Sequence, residues 1–274
     1  MKLAFLLAIP LFLLASCNNQ FSKVLKSTDY EYKLKMADEY FAKKQYNKAE
    51  QLYIELFPVF KGQEKFEDLY YKYAYCSYYQ RNYMDAENLF KGYLGVFPNS
   101  PRAEEIAYMQ AFSFYKQSPI VELDQSNTNK AIGMMQVFIN NYPKSTRVTE
   151  AQEVIEKCRQ KLEKKEQQAA QLYYDLGQFR AAGIAFSNLL LSYPETTHGE
   201  NYMLMAIKSY YKFAEMSVYD KQEERYEQVS REYFDFVDRY PDSKLLAQAE
   251  EYNNQSINNI KRIQNEQTKT SANR

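Results

Sequence analysis

The stretch NLLLSYPETT, residues 188–197, decides the fold: an apolar run reaches a Tyr-Pro pair and then turns abruptly polar. Proline has no amide hydrogen for the interior of a helix, so a helix ends here, and the threonines after it are good helix N-caps. The stretch is therefore a joint between two helices. Similar joints recur at GVFPNSP (95–101), INNYPKS (139–145) and VDRYPDS (237–243).

These joints indicate an internal repeat. Pro98, Pro143, Pro194 and Pro241 are 45, 51 and 47 residues apart, and Pro58 in IELFPVF predicts a looser joint 40 residues before Pro98. A period of about 20–50 residues is typical of proteins built from stacked supersecondary units. The steps exceed the about 34 residues of a tetratricopeptide repeat, but the interior of each unit follows that motif.

The interior of the units explains why they would stack. A small residue, Ala49, Ala86, Ala131 or Ala182, recurs where the two helices of a pair approach closely, and aromatic residues fill the space between pairs. Because no unit buries its apolar face alone, several must pack together. We therefore predict an all-α fold, an α-solenoid of about five tetratricopeptide-like helix-turn-helix repeats over residues 30–260. The clearest unit matches the motif at Ala170, Tyr173, Gly177, Phe179, Ala182, Phe186, Leu189 and Pro194.

Two segments add length to this pattern. Residues 116–128, KQSPIVELDQSNT, interrupt the third repeat, because a Ser-Pro pair does not fit the middle of a helix. Residues 216–225 lengthen the fifth repeat, in which Val229 stands where alanine is expected. The final stretch, 261–274, is polar and has no periodicity, which predicts a disordered tail.

The N-terminus has the layout of a bacterial lipoprotein signal peptide. Residues 1–16 carry one lysine, an apolar stretch too short to span a membrane, and then small residues. The segment closes in LASC (14–17), which resembles the lipobox. We therefore expect Cys17 to carry a diacylglyceryl group and an N-acyl chain such as palmitate, with residues 17–29 as a lipidated linker. Asn18 stands where an aspartate marks retention at the inner membrane, so the outer membrane is favoured.

Composition argues against catalysis and against nucleic-acid binding. The 35 basic and 35 acidic residues cancel, which leaves no electrostatic footprint for nucleic acid. Glycine occurs only seven times, and no phosphate loop, dinucleotide fingerprint or nucleophile elbow is present. His198 is the single histidine, and no Cys–His pair has metal spacing. Cys76 and Cys158 lie in helical patterns, which favours buried free thiols and leaves a disulfide open. We expect no enzyme, no cofactor and no metal site.

A binding surface is the remaining candidate for function. In tetratricopeptide arrays the first helices of the pairs line a concave groove, and transferring the repeat phase places seven residues on or near it. Tyrosine offers a large contact area and a polar tip, which suits peptide binding, although each tyrosine could instead pack between repeats. The candidate groove residues are Leu34, Asp38, Phe41, Tyr71, Tyr75, Tyr78 and Tyr79.

Three segments behind the lipobox carry a family resemblance. They are KVLKSTDYEYKLKMADEYFAKKQYNKAEQLY (23–53), AYCSYYQRNYMDAENLFKGYLGVFPNSPRAEEI (74–106) and SPIVELDQSNTNKAI (118–132). With the order of the joints, they resemble the BamD family, the outer-membrane lipoproteins of the β-barrel assembly machinery, in the form found in the Bacteroidetes. The resemblance covers the chain from Cys17 to about residue 255.

This resemblance implies a non-catalytic scaffold on the periplasmic face of the outer membrane. Its C-terminal repeats would bind the POTRA domains of a BamA-like subunit, and its N-terminal repeats would receive unfolded outer-membrane barrel substrates. Other lipoproteins of the machinery would be further partners. The degenerate fifth repeat leaves the BamA contacts without assigned residues.

Two other classes of lipoprotein share part of this sequence pattern. One is a different lipoprotein scaffold, such as a secretin pilotin or a Tol-associated repeat protein. Pilotins share the lipobox and the repeats but usually keep a closer period of about 34 residues. A sugar-capturing lipoprotein of the SusD kind is roughly twice as long and usually places tryptophan on the sugar, whereas this chain has no tryptophan.

Overall fold

The computed structural model describes residues 20–272, and that part of the chain contains helices and no strands, which confirms the all-α prediction. After a helical turn at residues 20–25 (α1), adjacent helices pair as the repeats require. The helices that follow are α2 (Tyr30–Ala42), α3 (Tyr46–Phe60), α4 (Phe66–Tyr79), α5 (Tyr83–Val96), α6 (Ala103–Gln117), α7 (Ser126–Asn141), α8 (Val148–Asp175), α9 (Phe179–Ser192), α10 (Gly199–Glu215), α11 (Tyr219–Arg239) and α12 (Leu246–Ala272).

The chain divides into two compact units, the first through Arg159 and the second from Gln160. In the first unit, each helix from α2 to α6 packs on the next one along the chain. In the second unit, α10 packs on α9, α11 and α12, and α11 packs on α12. Sequence neighbours are therefore spatial neighbours, as expected for stacked helix pairs.

The core of each unit follows the repeat motif. The predicted small residues Ala49, Ala86, Ala131 and Ala182 are completely buried, which confirms their role in close helix approach. One turn further along the second helix of each pair stands a large buried side chain. A fully buried aromatic side chain carries about 150–250 Å² of surface out of water, so these positions dominate the core energy. They are Tyr53, Phe90, Met135 and Phe186.

All four Tyr/Phe-Pro joints are closed by the same hydrogen bonds. In each joint, the Ser or Thr two positions after the proline donates its hydroxyl to a glutamate on the first helix of the pair that the joint closes. That hydroxyl also accepts the amide hydrogen of the residue two positions on. The Ser or Thr of the motif is therefore a latch across the helix pair. The latches are Ser100–Glu67, Ser145–Glu104, Thr196–Glu163 and Ser243–Glu200.

The prediction that a helix ends at Pro58 is wrong. Pro58 lies inside α3, which continues to Phe60 before the chain turns at Gly62. A proline beyond the first turn of a helix removes one backbone hydrogen bond and costs about 3 kcal/mol, so the burial of Leu56 and Phe60 on either side of Pro58 must offset this cost. No Ser or Thr follows Pro58 at the latch position, so this segment lacks the feature that defines the other four joints.

The C-terminal segment also differs from the predicted disordered tail. The structure continues α12 through Ala272, and Ile263 is completely buried. The hydroxyl of Tyr219 donates to the carbonyl of Ile263 at 3.3 Å, and Gln264 donates to Glu223 at 2.7 Å. Although the segment is polar overall, a few of its residues on one face of α12 pack on α11, and composition alone does not reveal them.

The turns inside three helix pairs place a residue in the left-handed region. These residues are Lys44, Arg81 and Gly177, with φ of 56°, 66° and 73°. In each turn, two amides bond back to the last carbonyls of the first helix, which is the Schellman arrangement. Only glycine adopts this φ without steric cost, so the lysine and the arginine are held in strained backbone.

Replacing Arg81 by glycine is expected to raise the free energy of unfolding by about 1 kcal/mol, because it removes this steric cost. Denaturant titration of the purified protein measures the change. Lys61→Gly is the matched control, since Lys61 has a φ of −54° and gains nothing from glycine. If Arg81→Gly destabilises the protein as much as the control does, the strain is absent.

Candidate functional site

An open groove of about 520 Å³ lies between the first helices α2 and α4 of the first unit. Leu34 and Leu69, both almost fully buried, form its apolar floor. Charged side chains surround that floor, and Leu34 and Asp38 are the two predicted residues that line the groove. The charged lining residues are Glu31, Lys35, Asp38, Glu39, Lys65 and Asp68.

A row of alternating charges runs along the groove from α2 to the start of α6. The Tyr53 hydroxyl donates to Asp38 Oδ1 at 2.7 Å, and the Lys72 ammonium bonds Asp38 at 2.9 Å and Asp68 at 2.6 Å. The Arg102 guanidinium then reaches Asp68 at 2.9 Å. The row links three successive repeats through side chains alone.

The charges in this row stabilise one another. Burial disfavours the ionised form of Asp68, but Lys72 and Arg102 outweigh it and hold the pKa of Asp68 below its ordinary value. Burial likewise opposes the charge of Lys72, yet hydrogen bonds to Asp68 and Asp38 raise the pKa of Lys72. At neutral pH Asp68, Lys72 and Arg102 are therefore ionised, and the row offers fixed charges of both signs.

Two of the predicted tyrosines meet at one carboxylate. Tyr71 donates to Glu105 Oε1 at 3.0 Å, and the Tyr75 hydroxyl donates to the same oxygen. The Arg102 guanidinium lies over the Tyr71 ring at 4.3 Å. Burial, together with Glu105, raises the pKa of Tyr71 to about 12 and raises that of Tyr75, so both phenols remain donors at neutral pH. Tyr75 is only 6% exposed and packs edge-on against Phe90, so its ring belongs to the core.

The other predicted aromatic residues lie away from the groove, at the turns inside the helix pairs. Phe41 packs edge-on against Tyr46 at 5.6 Å, and Tyr79 stacks on Tyr46 at 4.6 Å with 48% of its surface exposed. Tyr78 is half-buried against Tyr83 at 5.5 Å. Of the residues that the repeat phase predicted for the groove, Leu34 and Asp38 line it, whereas Phe41, Tyr78 and Tyr79 lie at the edge of the unit.

The charged side chains that pair with one another along the groove were not among the residues predicted from the sequence, apart from Asp38. Four contacts between neighbouring first helices join residues 34 positions apart. Reading the sequence at that offset would have found them as complementary pairs. The pairs are Glu31–Lys65, Asp38–Lys72, Asp68–Arg102 and Tyr71–Glu105.

Within the part of the chain that is described, the other residues that the sequence singled out take no part in the groove. Cys76 and Cys158 are buried thiols and not a disulfide, as predicted, and burial raises the pKa of Cys76. His198 sits at the start of α10 with its ring 6.0 Å from that of Tyr202. Cys17 and the signal peptide lie outside the described residues. Across residues 20–272, no helix has the length and apolar character needed to cross a membrane, and no three metal-ligating side chains cluster.

Comparisons with known proteins give a family and, among solved structures, include two weak similarities. The TPR2AB domain of yeast Sti1 in its pHSP90 complex aligns with 85% of this chain and 98% of its own, at 11% identity and a TM-score of 0.41. The human IFIT1 dimer with PPP-AAAA aligns with 83% of this chain and 58% of its own, at 14% identity and a TM-score of 0.27. No curated protein matches the chain. The profile of YfiO, described as an outer membrane lipoprotein, matches residues 29–225, which is most of the chain, and the chain therefore belongs to the YfiO family.

Proposed function

We propose that this chain is a non-catalytic scaffold lipoprotein of the outer-membrane β-barrel assembly machinery, of the BamD form found in the Bacteroidetes. It faces the periplasm, is anchored by diacylglyceryl and N-acyl chains on Cys17, and binds the POTRA domains of a BamA-like subunit and unfolded barrel substrates. Other lipoproteins of the machinery are further partners. The observation that carries the proposal is the match of residues 29–225 to an outer membrane lipoprotein family.

The groove suits an unfolded barrel strand as its ligand. Strands of outer-membrane barrels alternate apolar and polar side chains. The groove offers apolar contacts at Leu34 and Leu69, with charges of both signs beside them at Lys35 and Asp68. An extended segment could therefore bury alternate apolar side chains against the floor and direct the others toward the charged rim. Such contacts are non-covalent and few, which fits a scaffold that must release its substrate.

A binding role, without catalysis, is also favoured by the state of the groove carboxylates. Asp38 and Asp68 are held by cations, and Glu105 accepts two phenol hydroxyls. General acid–base catalysis needs a group whose pKa lies near the working pH. The pKa of Asp68 moves away from neutrality, so this carboxylate is suited to fixing charge and not to transferring protons.

Substrate binding is testable with the purified chain and a barrel protein unfolded in urea and then diluted. We expect a complex in which a photo-crosslinker placed at Lys35 links to the barrel chain, whereas one at Lys91 on α5 does not. Equal linking at the two positions would mean that the groove does not receive the substrate.

A further inference from the structure

Three turns lie along one edge of the first unit. Each joins the first helix of a pair to the second, and side chains connect one turn to the next. Tyr46, after the first turn, stacks on Tyr79, before the second, at 4.6 Å. Gln117, before the third turn, donates to the carbonyl of Tyr83 at 3.2 Å. We call this the anchor edge, defined as residues 43–48, 79–84 and 118–125.

The chain enters the first unit at this edge. The Phe21 ring packs edge-on against Tyr40 at 5.6 Å, and the Lys48 ammonium lies over both rings, 5.8 Å from that of Phe21 and 5.4 Å from that of Tyr40. Val24 is completely buried, so α1 is firmly docked. Two residues, Asn18 and Asn19, separate Cys17 from the start of α1, so the three steps along the backbone span at most about 11 Å. A lipid on Cys17, which is part of the proposed function, is therefore tethered beside the anchor edge.

The part of the anchor edge next to this entry point is basic. Lys44 and Lys48 line an open cleft of about 580 Å³, and no carboxylate is among the described residues that line it. Arg81 is exposed in the next turn. Lys44 and Arg81 both stand in the left-handed region, at a turn position that glycine holds in the second unit. Strained backbone of this kind tends to occur where a side chain has a function.

The far part of the same edge is apolar and rigid. The third turn is the inserted segment, where Ile120 is 66% exposed and Leu123 is 56% exposed. The buried Gln125 amide donates to the carbonyls of these two residues at 2.7 and 3.0 Å, and Thr128 donates to Gln125 at 2.6 Å. The insertion therefore presents two apolar side chains on a fixed backbone.

We propose that the anchor edge rests on the bilayer surface, with Lys44, Lys48 and Arg81 on phospholipid phosphates and Ile120 and Leu123 in the headgroup region. Cations and amphipathic aromatic rings such as Tyr79 are typical of surfaces that lie at the membrane interface. Glu122 and Asp124 in the insertion confine the phosphate contacts to the basic part of the edge. The helices of the first unit then stand away from the bilayer, and the groove is held at a fixed height above it.

The position of the anchor edge relative to the bilayer can be measured by fluorescence. Because the chain contains no tryptophan, a single introduced tryptophan reports only its own surroundings. Asn47→Trp places a probe on the anchor edge, and Gln63→Trp places one at the opposite edge of the same unit. Both full-length, lipidated variants are inserted into vesicles of phosphatidylethanolamine and phosphatidylglycerol that carry a headgroup spin label. We expect loss of emission at position 47 and none at position 63. Equal emission from the two probes in membrane-bound protein overturns the proposal.

The charges are tested separately with a chain that begins at Asn18 and carries no lipid. Because each cation near an anionic surface contributes about 1 kcal/mol, replacing Lys44, Lys48 and Arg81 by glutamate is expected to weaken vesicle binding about a hundredfold. The matched control reverses Lys61, Lys91 and Lys144, and thermal melting verifies that both triple variants are folded.

Three results distinguish this inference from the proposed function. If the wild-type chain is never lipidated, the proposed function has failed. If it is lipidated and the triple variant binds vesicles as the control does, only the anchor edge has failed. If the triple variant instead loses a protein partner while binding vesicles normally, the edge is a protein surface and the inference is also overturned.

Discussion

Replacing Cys17 by alanine is expected to move the protein from the outer-membrane fraction to the soluble fraction. A single acyl chain gives only marginal, reversible membrane binding, whereas two or more anchor a protein stably. Within residues 20–272 no helix offers an alternative span. Removing the acylated thiol should therefore remove essentially all stable attachment.

The experiment needs a form of the variant in which an uncleaved signal cannot hold the protein at a membrane. Residues 1–17 are replaced by the signal peptide of a soluble periplasmic protein, and fractions are compared after a high-salt wash. Cys158→Ala, which changes a buried thiol, is the control and should stay in the membrane. Mass spectrometry of the wild-type N-terminal peptide identifies the acyl groups. Membrane retention of the exchanged chain that survives both the salt wash and an alkaline carbonate wash, which releases chains held only by a protein partner, would contradict the lipid anchor.

The second large effect concerns the groove between α2 and α4. Reversing Lys35 and Lys65 to glutamate is expected to weaken binding of a barrel-derived peptide about thirtyfold. The two substitutions remove two favourable charges and add two repulsive ones, and each of these four changes costs about 0.5 kcal/mol at exposed positions. Together they cost about 2 kcal/mol, and 1.4 kcal/mol corresponds to a factor of ten. The peptide should be the C-terminal strand of a barrel protein, whose free carboxylate is sensitive to these charges.

The matched control reverses Lys91 and Lys130, which lie on the second helices α5 and α7 and change the net charge equally. Fluorescence anisotropy measures the Kd, and denaturant titration checks that stability is unchanged. Lys65 is 56% exposed and pairs with Glu31, so its loss should cost little folding energy. An equal loss of affinity in the control pair would mean that net charge, and not the groove, attracts the peptide.

Much of the fold could be predicted because the repeat motif is local. The alanine at the close approach and the large side chain one turn later lie on the same helix, so their spacing is readable without knowing the packing. The joints were also readable, since the proline, the aromatic residue and the Ser or Thr are adjacent. What the joint does, however, depends on a distant partner. Ser100 and Glu67 are 33 positions apart, and only the fold shows that they form a latch.

The groove was predictable only in part, for the same reason. Leu34 and Asp38 follow from the repeat phase, which identifies the exposed face of a first helix. Lys72 and Arg102 depend on how far one helix slides along the next, which side-chain packing sets and no single repeat contains. Tyr75 is the opposite case. Its position in the repeat predicted that it lies in the groove, but contacts with Phe90 and Glu105 hold its ring in the core.

Two predictions are wrong for the same reason, because each used only the local sequence to decide where a helix ends. Pro58 was interpreted as the end of a helix, but the helix continues for two more residues. The polar tail was expected to be disordered, but Ile260 and Ile263 lie one turn apart on α12 and both contribute to the packed core of the second unit. Packing against a neighbouring helix outweighs local propensity at both positions.

The central claim, that this lipoprotein is a scaffold of barrel assembly, is tested most directly by affinity purification from mildly solubilised outer membranes. We predict co-purification of a BamA-like barrel protein with POTRA domains, at a level comparable with that of the tagged chain. Recovery of a secretin, or of a TonB-dependent sugar transporter, without any BamA-like protein would contradict this account.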